Sequence, residues 1–518
     1  MGAIKFFINA TVLTMDPTLP TAEALAIRDG RIVAVGSTEE VLWCREGESE
    51  LVDLEGKSVL PGFVDAHNHF AIAALEGFWA DCRTPPLQTI PEVQSALRAA
   101  AAKAPEGEWV RGWGYHHGSL AERRHPTRQE LDEAVPHRPV FLLHFSHHQG
   151  VANSRALAAA GITRVAPAPP GGEIARDKAG EPTGLLFERA MAAVERASRE
   201  GWEARFPEVV ASASRRYAAC GLTTVQDAAV TPAMERRYAE AEQAGHLKIR
   251  VKRMAVSPSG WFDPPGGLAR EPSEGGFLKL FVDGGYRCAM RLPQDGAERR
   301  SGFLFYQPGE LADILVTAWR GGWRVACHAL GNWGVEVAVD AIAAALARER
   351  SGEGRVRIDH AMFLTLELIR RIRSLGVSVV TQPNFVYDLE PANRRLPPGF
   401  LRLPFGSLLN EGVPQAFSSD YPCGSLAPLT GIRAATTRCS RAGQEVSPEE
   451  RISVRAALEA YTIGAARAVG VGHECGSLEV GKRADLVVLD ANPLEIPADR
   501  VPELRIIKTL VGGEEVRP

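Results

Sequence analysis

The chain has 518 residues, of which 45% are hydrophobic and 24% charged, and it contains 50 glycines and 35 prolines. This composition is typical of a globular enzyme with many turns and argues against a disordered or fibrous chain. The net charge is −4, and acidic and basic residues are interspersed. No basic stripe is available to neutralise phosphates, so we expect a small-molecule substrate and no nucleic-acid partner.

The N-terminal residues, MGAIKFFINATVLTMD, do not combine a basic segment with a long apolar run. No window reaches the roughly 18 uninterrupted apolar residues of a membrane helix, so we expect a cytoplasmic protein without a membrane partner. The eight cysteines are scattered without a CxxC pair. This pattern is unlike a disulfide framework or a zinc knuckle and favours reduced, buried thiols.

Short apolar runs near both ends of the chain predict a small β-sandwich. The runs that turn residues separate lie at 5–13, 22–28, 31–36, 50–53, 476–478, 484–490 and 504–511. Neither end has enough strands for a stable domain of its own. We therefore expect residues 1–60 and 471–518 to close into one sandwich.

Between these ends, short apolar runs alternate with helical segments, as in parallel βα units. Eight such runs end near His69, Asp227, Val256, Asp283, His328, His360, Gln382 and Asp420. The pattern predicts an α/β protein whose main domain, residues 61–470, is a (β/α)8 TIM barrel. The first two endpoints are too far apart for one connection, so an α/β insertion is expected at about 72–211.

Loops that follow barrel strands line the catalytic mouth, which places the insertion where it can cover a site as a lid. The segment 257–276, SPSGWFDPPGGLAREPSEGG, is rich in proline and glycine. We interpret it as a mobile loop over the same mouth.

The sharpest local signal is His67-Asn68-His69 at the end of an apolar run. Alternate side chains of a strand face the same way, so the two imidazoles can point together into the barrel. Such a pair can clamp a metal, and an isolated HxH is equally compatible with surface histidines. His328, His360 and Asp420 end further runs on the face where TIM-barrel active sites form. The set as a whole favours a metal site over separately hydrogen-bonded barrel residues.

Lys279 lies inside the apolar run FLKLFVDG, where a buried ammonium group requires a partner. Two explanations remain open. The first is an ion pair with Asp283, four positions on and on the same face of the strand. The second is carbamylation, which would convert the lysine into an anion that can bridge two divalent cations.

Several segments resemble the successive signatures of the amidohydrolase superfamily, namely PGFVDAHNH, FLKLFVDG, CHALGN, RIDHA, QAFSSDYP and GSLEVGKRADLVVLD. Two more, LDEAVPHRPVFLLHFSHHQGVANSRAL and GEPTGLLFE, are similar to segments of its YtcJ-like or N-substituted formamide deformylase-like subgroup, amidohydrolase family 3. The resemblance covers nearly the whole chain. It implies a divalent metal centre in which a CO2-derived carbamate on the strand lysine bridges two ions.

By this resemblance the site residues have distinct roles: His67 and His69 hold the more buried metal, Lys279 bridges, His328 and His360 hold the second metal, and Asp420 is both ligand and base. Imidazole and carboxylate suit Zn²⁺, and such an ion lowers the pKa of bound water from about 15.7 to about 7. Asp420 can then accept the proton of the attacking hydroxide and deliver it to the departing nitrogen.

We therefore expect a zinc enzyme with one or two ions that hydrolyses a non-peptide C–N bond in an amide, N-acyl or N-formyl compound. A deaminase or an ester or lactone hydrolase could use the same metal site, because one barrel supports many reactions through changes in its loops. A third hypothesis is a binding or regulatory protein that keeps the fold without catalysis. A homodimer is expected from base rates.

The candidates for substrate contact are Trp113, His148, Asp283 and Tyr286. After Asp283 and Gly284 the chain continues Gly285-Tyr286-Arg287-Cys288, where the subgroup has small residues followed by Ser-Arg. Specificity therefore does not carry over from the family.

The remaining histidines and aromatic residues have two possible interpretations each. His148 either contacts substrate or fixes the insertion through hydrogen bonds. His116 and His117 match no ligand of the family, and we expect them to pack in the lid or at the surface. The five aromatic residues that either form a pocket or pack in the core and rim are Trp113, Tyr115, Tyr286, Trp333 and Tyr421.

Overall fold

The computed structural model describes residues 2–45, 48–105, 107–256, 276–285, 287–294, 297–388 and 396–517. Tyr286 lies outside the described residues, as does the loop predicted at 257–276 except for Gly276. In the part of the chain that is described, no helix has the length and apolar character needed to cross a bilayer.

A nearly closed set of eight parallel strands confirms the TIM barrel predicted from the sequence. We number them β1 (Phe63–Asn68), β2 (Leu222–Val230), β3 (Arg250–Ala255), β4 (Phe277–Phe281), β5 (Arg324–Ala329), β6 (Val356–His360), β7 (Ser378–Thr381) and β8 (Gln415–Phe417). Each strand pairs in parallel with the next in chain order. Most of their residues are buried, as expected for strands covered on both faces.

Helices cover the outside of the barrel and follow the strands in chain order. They span Phe70–Leu75, Phe206–Ala218, Pro232–Gln243, Pro308–Arg320, Asn332–Arg348, Leu366–Ser374, Asn384–Asp388, Phe405–Asn410, Pro428–Thr437, Val454–Tyr461 and Ile463–Ala468. Thr231, Thr365 and Ser453 each accept a backbone N–H three residues on, which supplies the N-cap of the helix that follows. The barrel domain also contains two small antiparallel pairs of strands: Met290–Gln294 with Ala297–Ser301, and Phe363–Thr365 with Phe400–Arg402.

Both chain ends build the β-sandwich. One sheet contains Arg31–Gly36, Ala24–Arg28, Ile4–Ile8 and Ser49–Asp53, in that order. The other contains Glu514–Glu515, Ile506–Val511, Leu486–Leu489, Ser58–Pro61, Thr11–Leu13 and Thr21–Ala22. Because Leu486–Leu489 pairs antiparallel with Ser58–Pro61, the two ends of the chain share a sheet.

The N-terminal segment differs from the sequence-based expectation in two ways. The single strand predicted at 5–13 is two strands in different sheets, since Asn9 has a φ of 52° and turns the chain between them. A helix, Thr38–Trp43, was not predicted, although Ser37 and Glu40 form a capping box at its start. That spacing of Ser and Glu is a sequence signal for a helix N-terminus.

The insertion after β1 has its own mixed sheet of six strands. Their order is Gly172–Arg176, Pro182–Glu188, Gln149–Ala152, Val140–His144, Val110–Tyr115 and Ala80–Asp81. Its helices are Ile90–Lys103, Arg128–Ala134, Ser154–Ala159 and Ala192–Glu203. The next helix, Phe206–Ala218, packs on the barrel helix Phe70–Leu75, with the Phe206 and Phe70 rings in edge contact. The barrel therefore resumes at Phe206.

Asp485 connects the C-terminal half of the sandwich to the barrel, and this contact generates a stability prediction. Its buried carboxylate accepts hydrogen bonds from Arg250 Nη1 at 2.7 and 2.8 Å and from the Gly512 N–H at 2.7 Å. Asp485→Ala leaves both donors without this acceptor, so we expect the free energy of unfolding to fall by about 2 to 3 kcal/mol. Urea-induced unfolding followed by circular dichroism measures the change.

Asp490→Ala is the matched control for Asp485→Ala. Asp490 pairs with Arg505 at 2.9 Å, but the Arg505 side chain is 78% exposed. An exposed pair contributes less than about 1 kcal/mol. Equal losses in the two variants would contradict the role given to Asp485.

Candidate metal centre

Two hydrogen bonds place Asp420 between His67 and His69, at the end of β1. The N–H of Asp420 donates to the carbonyl oxygen of His67, and the N–H of His69 donates to that of Tyr421, both at 2.9 Å. These bonds lie at the seam between β1 and the segment after β8. As a result, Asp420 Oδ1 is 3.3 Å from His67 Nε2 and 3.2 Å from His69 Nε2.

Asp65 fixes the turn that carries these ligands, and sequence reasoning missed it. Its carboxylate accepts hydrogen bonds from the Ser419 N–H at 3.0 Å, the Asn68 side-chain amide at 2.9 Å and the His67 N–H at 3.3 Å. It also accepts one from the Ser419 hydroxyl. Burial raises the pKa of Asp65, and these donors oppose that rise. The aspartate two positions before His67 was visible in PGFVDAHNH, but its partner Ser419 comes from the segment after β8.

Asp420 has an unusual environment for a carboxylate. Burial alone would raise its pKa, but the neighbouring His67 and His69 side chains hold it well below its usual range. Its φ is 53°, and His360 has a φ of 81°. Left-handed backbone at non-glycine residues costs about 1 to 3 kcal/mol and is concentrated at functional sites. In this protein the left-handed backbone sets the direction of the Asp420 and His360 side chains at the ends of their strands.

His360 and His328 extend the row of imidazoles away from His67. Ring centroids are 4.8 Å apart between His67 and His360 and 4.4 Å apart between His360 and His328. The Gln382 side-chain oxygen lies 2.9 Å from His360 Nδ1 and can accept its proton, which leaves Nε2 as the ligand atom. His328 Nε2 is buried with no hydrogen-bond partner among the described residues.

Lys279 pairs with Asp359, so the first of the two explanations for its burial, an ion pair with Asp283, is wrong, and carbamylation stays a prediction. Its Nζ is 2.9 Å from Asp359 Oδ2 and 3.3 Å from His67 Nδ1. Asp359 also accepts from Arg357 Nε, at 2.8 Å, and from His67 Nδ1, at 2.8 Å. Burial lowers the pKa of Lys279, and the Asp359 carboxylate opposes this shift. Asp359 lies on β6, two strands from β4 in the barrel, so spacing along β4 could not reveal it.

Asp283 accepts backbone hydrogen bonds at the start of the helix Asn332–Arg348. The donors are the N–H groups of Leu330, Gly331 and Ala289, each at 2.9 Å. Burial raises the pKa of Asp283 to about 7, although the three N–H donors act to lower it. Its Oδ1 is also 3.6 Å from His328 Nε2. These contacts favour a positioning role for Asp283, and its contact with substrate stays a prediction.

His148 brings the insertion into contact with the metal centre. Its ring centroid is 5.3 Å from that of His328, and its Nδ1 is 2.7 Å from Glu188 Oε2. The Gly285 N–H donates to Glu188 Oε1 at 3.1 Å. A Cβ at Gly285 would lie 2.1 Å from the His148 ring, so only a residue without a side chain leaves room for His148 here. Glu188 was missed in the sequence because its role depends on this approach.

The other predicted contacts are dispersed. Trp113 is buried, with the Arg83 guanidinium 5.2 Å from its ring centroid. Tyr115 hydrogen-bonds His125 inside the insertion, whereas Tyr421 hydrogen-bonds Glu76. Trp333 contacts the Arg300 guanidinium at 5.0 Å. The structure therefore does not gather these residues into one aromatic pocket.

His116 and His117 are not isolated surface residues. They cluster with His144 in the insertion, with ligand atoms within 4.8 Å of one another. Among the described residues, His67, His69 and Asp420 form the other such group.

The barrel group fits a divalent metal ion. Asp420 Oδ1 is buried and has no partner in hydrogen-bonding geometry among the described residues, although two imidazole nitrogens are close to it. Ligand atoms about 2.0 to 2.2 Å from a tetrahedral ion lie roughly 3.3 to 3.5 Å apart. The observed distances of 3.2 and 3.3 Å agree with ligands arranged around an ion.

Comparison with known proteins identifies the family. The model of the Amidohydrolase family matches residues 50–517. The chain belongs to the amidohydrolase family. This assignment confirms the predicted superfamily and makes the protein a hydrolase by class.

Relatives of this amidohydrolase match it over nearly their whole length. It is 36% identical to the N-substituted formamide deformylase of Arthrobacter pascens, over 98% of this chain and 97% of the relative. It is 29% identical to YtcJ of Bacillus subtilis (strain 168), whose assignment as an amidohydrolase is provisional, over 95% of this chain and 96% of the relative. A crystal structure of a metal-dependent hydrolase from Pyrococcus furiosus is 26% identical with a TM-score of 0.72, over 95% and 100% of the two chains.

Asp359 generates a prediction about metal affinity in this amidohydrolase. It accepts a hydrogen bond from His67 Nδ1 and so orients Nε2 toward Asp420. Loss of such an outer-shell carboxylate typically costs 10- to 100-fold in metal affinity, and we expect Asp359→Asn to weaken Zn²⁺ binding by about this factor. Competition with a chromogenic chelator measures the dissociation constant.

The control for Asp359→Asn is Glu195→Gln. Glu195 is a buried acid that pairs with Arg111 at 3.0 Å inside the insertion. The Glu195→Gln variant should be less stable than wild type but should bind zinc with unchanged affinity. Parallel loss of zinc from both variants would show that global destabilisation, rather than ligand orientation, is responsible.

Proposed function

We propose that this amidohydrolase hydrolyses a non-peptide C–N bond in a small amide, N-acyl or N-formyl compound. The observation that carries the proposal is the convergence of His67, His69 and Asp420 at the barrel mouth, with His360 and His328 in ring contact beside them. Family membership and similarity to a deformylase of N-substituted formamides support the same type of bond.

The metal assignment follows from the ligand chemistry. Imidazole and carboxylate donors suit Zn²⁺. His67, His69 and Asp420 would hold the more buried ion, and His328 and His360 would hold a second. Carbamylated Lys279 would bridge them, formed when the neutral amine adds to CO2 and releases a proton. Because Asp359 is 2.9 Å from the same amine, that ion pair must separate for the carbamate to form.

A bound divalent ion makes water nucleophilic near neutral pH and polarises a substrate carbonyl. Asp420 supplies the proton transfers. Its carboxylate accepts a proton from the attacking water, and the same carboxyl group then donates that proton to the departing nitrogen. The nitrogen therefore leaves as a neutral amine.

The insertion contributes the substrate-facing residue His148. Two contacts support this assignment: Glu188 fixes the orientation of its ring, and the ring lies beside His328. Substrate contacts of Trp113, Asp283 and Tyr286 stay predictions, as do a cytoplasmic location and a homodimeric state.

Asp420→Asn tests the proposed reaction. The amide cannot accept the proton, so we expect kcat to fall by about 10²- to 10⁴-fold, while His67 and His69 retain part of the metal. The zinc-loaded protein and the variant are assayed against N-formyl, N-acyl, cyclic amide, amidine and ester compounds, with metal content measured in parallel.

Asp490→Asn changes a partly exposed carboxylate that pairs with the exposed Arg505, and it serves as the control that should keep the full rate. Hydrolysis of esters alone would exclude the C–N assignment. Unchanged turnover by Asp420→Asn would exclude Asp420 as the base.

A further inference from the structure

A second group of histidines lies in the insertion, where two parallel strands end. Val110–Tyr115 and Val140–His144 are neighbours, and Tyr115 is paired in register with His144. His116 and His117 follow the first strand directly. The ends of adjacent parallel strands meet at one edge of a sheet, so three imidazoles come together by the same topological rule as in the barrel.

The ring nitrogens of the three histidines lie close enough together to converge on one metal ion. One nitrogen from each of His116, His117 and His144 lies within 4.8 Å of the other two. His117 Nδ1 is 3.3 Å from His144 Nε2. Two nitrogens bound tetrahedrally to Zn²⁺ at about 2.0 to 2.1 Å are roughly 3.3 to 3.4 Å apart. Such a pair can share a proton or an ion, and the third nitrogen favours the ion, because one proton joins only two nitrogens.

The surroundings of His144 also suit a metal ligand. Ser146 fixes the orientation of the His144 ring, because its N–H donates to Nδ1 at 3.3 Å and its Oγ lies 2.9 Å from the same nitrogen. His144 Nε2 is therefore the nitrogen that faces His117 and would bind an ion. His144 is buried, whereas His116 and His117 are partly exposed, so an ion can enter from solvent. A set of imidazoles selects first-row transition metals over Mg²⁺ or Ca²⁺, which prefer oxygen ligands.

We propose that His116, His117 and His144 bind a first-row divalent transition-metal ion at a site separate from the barrel metal centre. Water completes the coordination. Binding displaces the proton shared by His117 and His144, which passes to solvent.

This second ion would stabilise the turn that carries His148. After His144 the chain turns back, with the N–H of His147 donating to the carbonyl oxygen of His144 at 2.9 Å. His147 has a φ of 56°, which reverses the chain direction, and His148 follows with its ring against His328. An ion on His144 therefore anchors the segment through which the insertion reaches the barrel.

Counting ions in matched variants tests the site. Wild-type protein, His117→Ala and His125→Ala are stripped with a chelator, equilibrated with Zn²⁺ alone and analysed by inductively coupled plasma mass spectrometry. His125 is the control, since its ring stacks on His117 at 4.0 Å but it is outside the ligand group. We expect His117→Ala to bind one ion per chain fewer than wild type and His125→Ala to match wild type.

Equal zinc in His117→Ala and wild type would overturn the proposal. So would equal losses in both variants, because the loss would then reflect disturbed packing. The difference in bound zinc between His117→Ala and wild type does not depend on whether the barrel holds one ion or two, or on which bond the enzyme hydrolyses.

A second measurement requires no variant. In wild-type crystals soaked with Zn²⁺, anomalous scattering at the zinc edge should give a peak between His117 Nδ1 and His144 Nε2. A map with a peak at the barrel centre and none in the insertion would also overturn the proposal.

Discussion

The backbone hydrogen bonds that join Asp420 to His67 and His69 to Tyr421 close the barrel between its eighth and first strands. The remaining features of the metal centre depend on this seam. The chain cannot complete the barrel without bringing the Asp420 carboxylate against two imidazoles. Asp65 reinforces the seam from inside, because its buried carboxylate binds Ser419 across the junction. Folding and assembly of the site are therefore one event, and the ligands are held in place before any substrate arrives.

Buried charges hold the second layer of the site. Arg357, Lys279 and Asp359 are all buried, and the carboxylate pairs with both cations. Removing one partner from such a group leaves another charge uncompensated in a medium of low polarity, which is costly. Arg357 also donates to the carbonyl oxygen of Ala66, next to His67. This network ties the orientation of His67 to the wall formed by β4 and β6.

In the insertion, as in the barrel, the ends of adjacent parallel strands bring side chains together at one edge of a sheet. The insertion gathers His116, His117 and His144 at one edge, and one turn later it presents His148 to the barrel. Gly285 makes this approach possible, because a side chain there would overlap the His148 ring. The approach of His148 to the barrel is thus the physical reason for a glycine at position 285.

The sequence by itself determined the barrel, the sandwich shared by both chain ends and the strand-end positions of the site residues. These properties follow from the local periodicity of hydrophobic residues, which can be recognised within each segment of the sequence. Only the tertiary structure decided which groups meet across strands. It paired Lys279 with Asp359 instead of Asp283, gave Asp65 its role and joined His116 and His117 to His144. Such contacts depend on the register between distant segments, and spacing along one segment carries no information about that register.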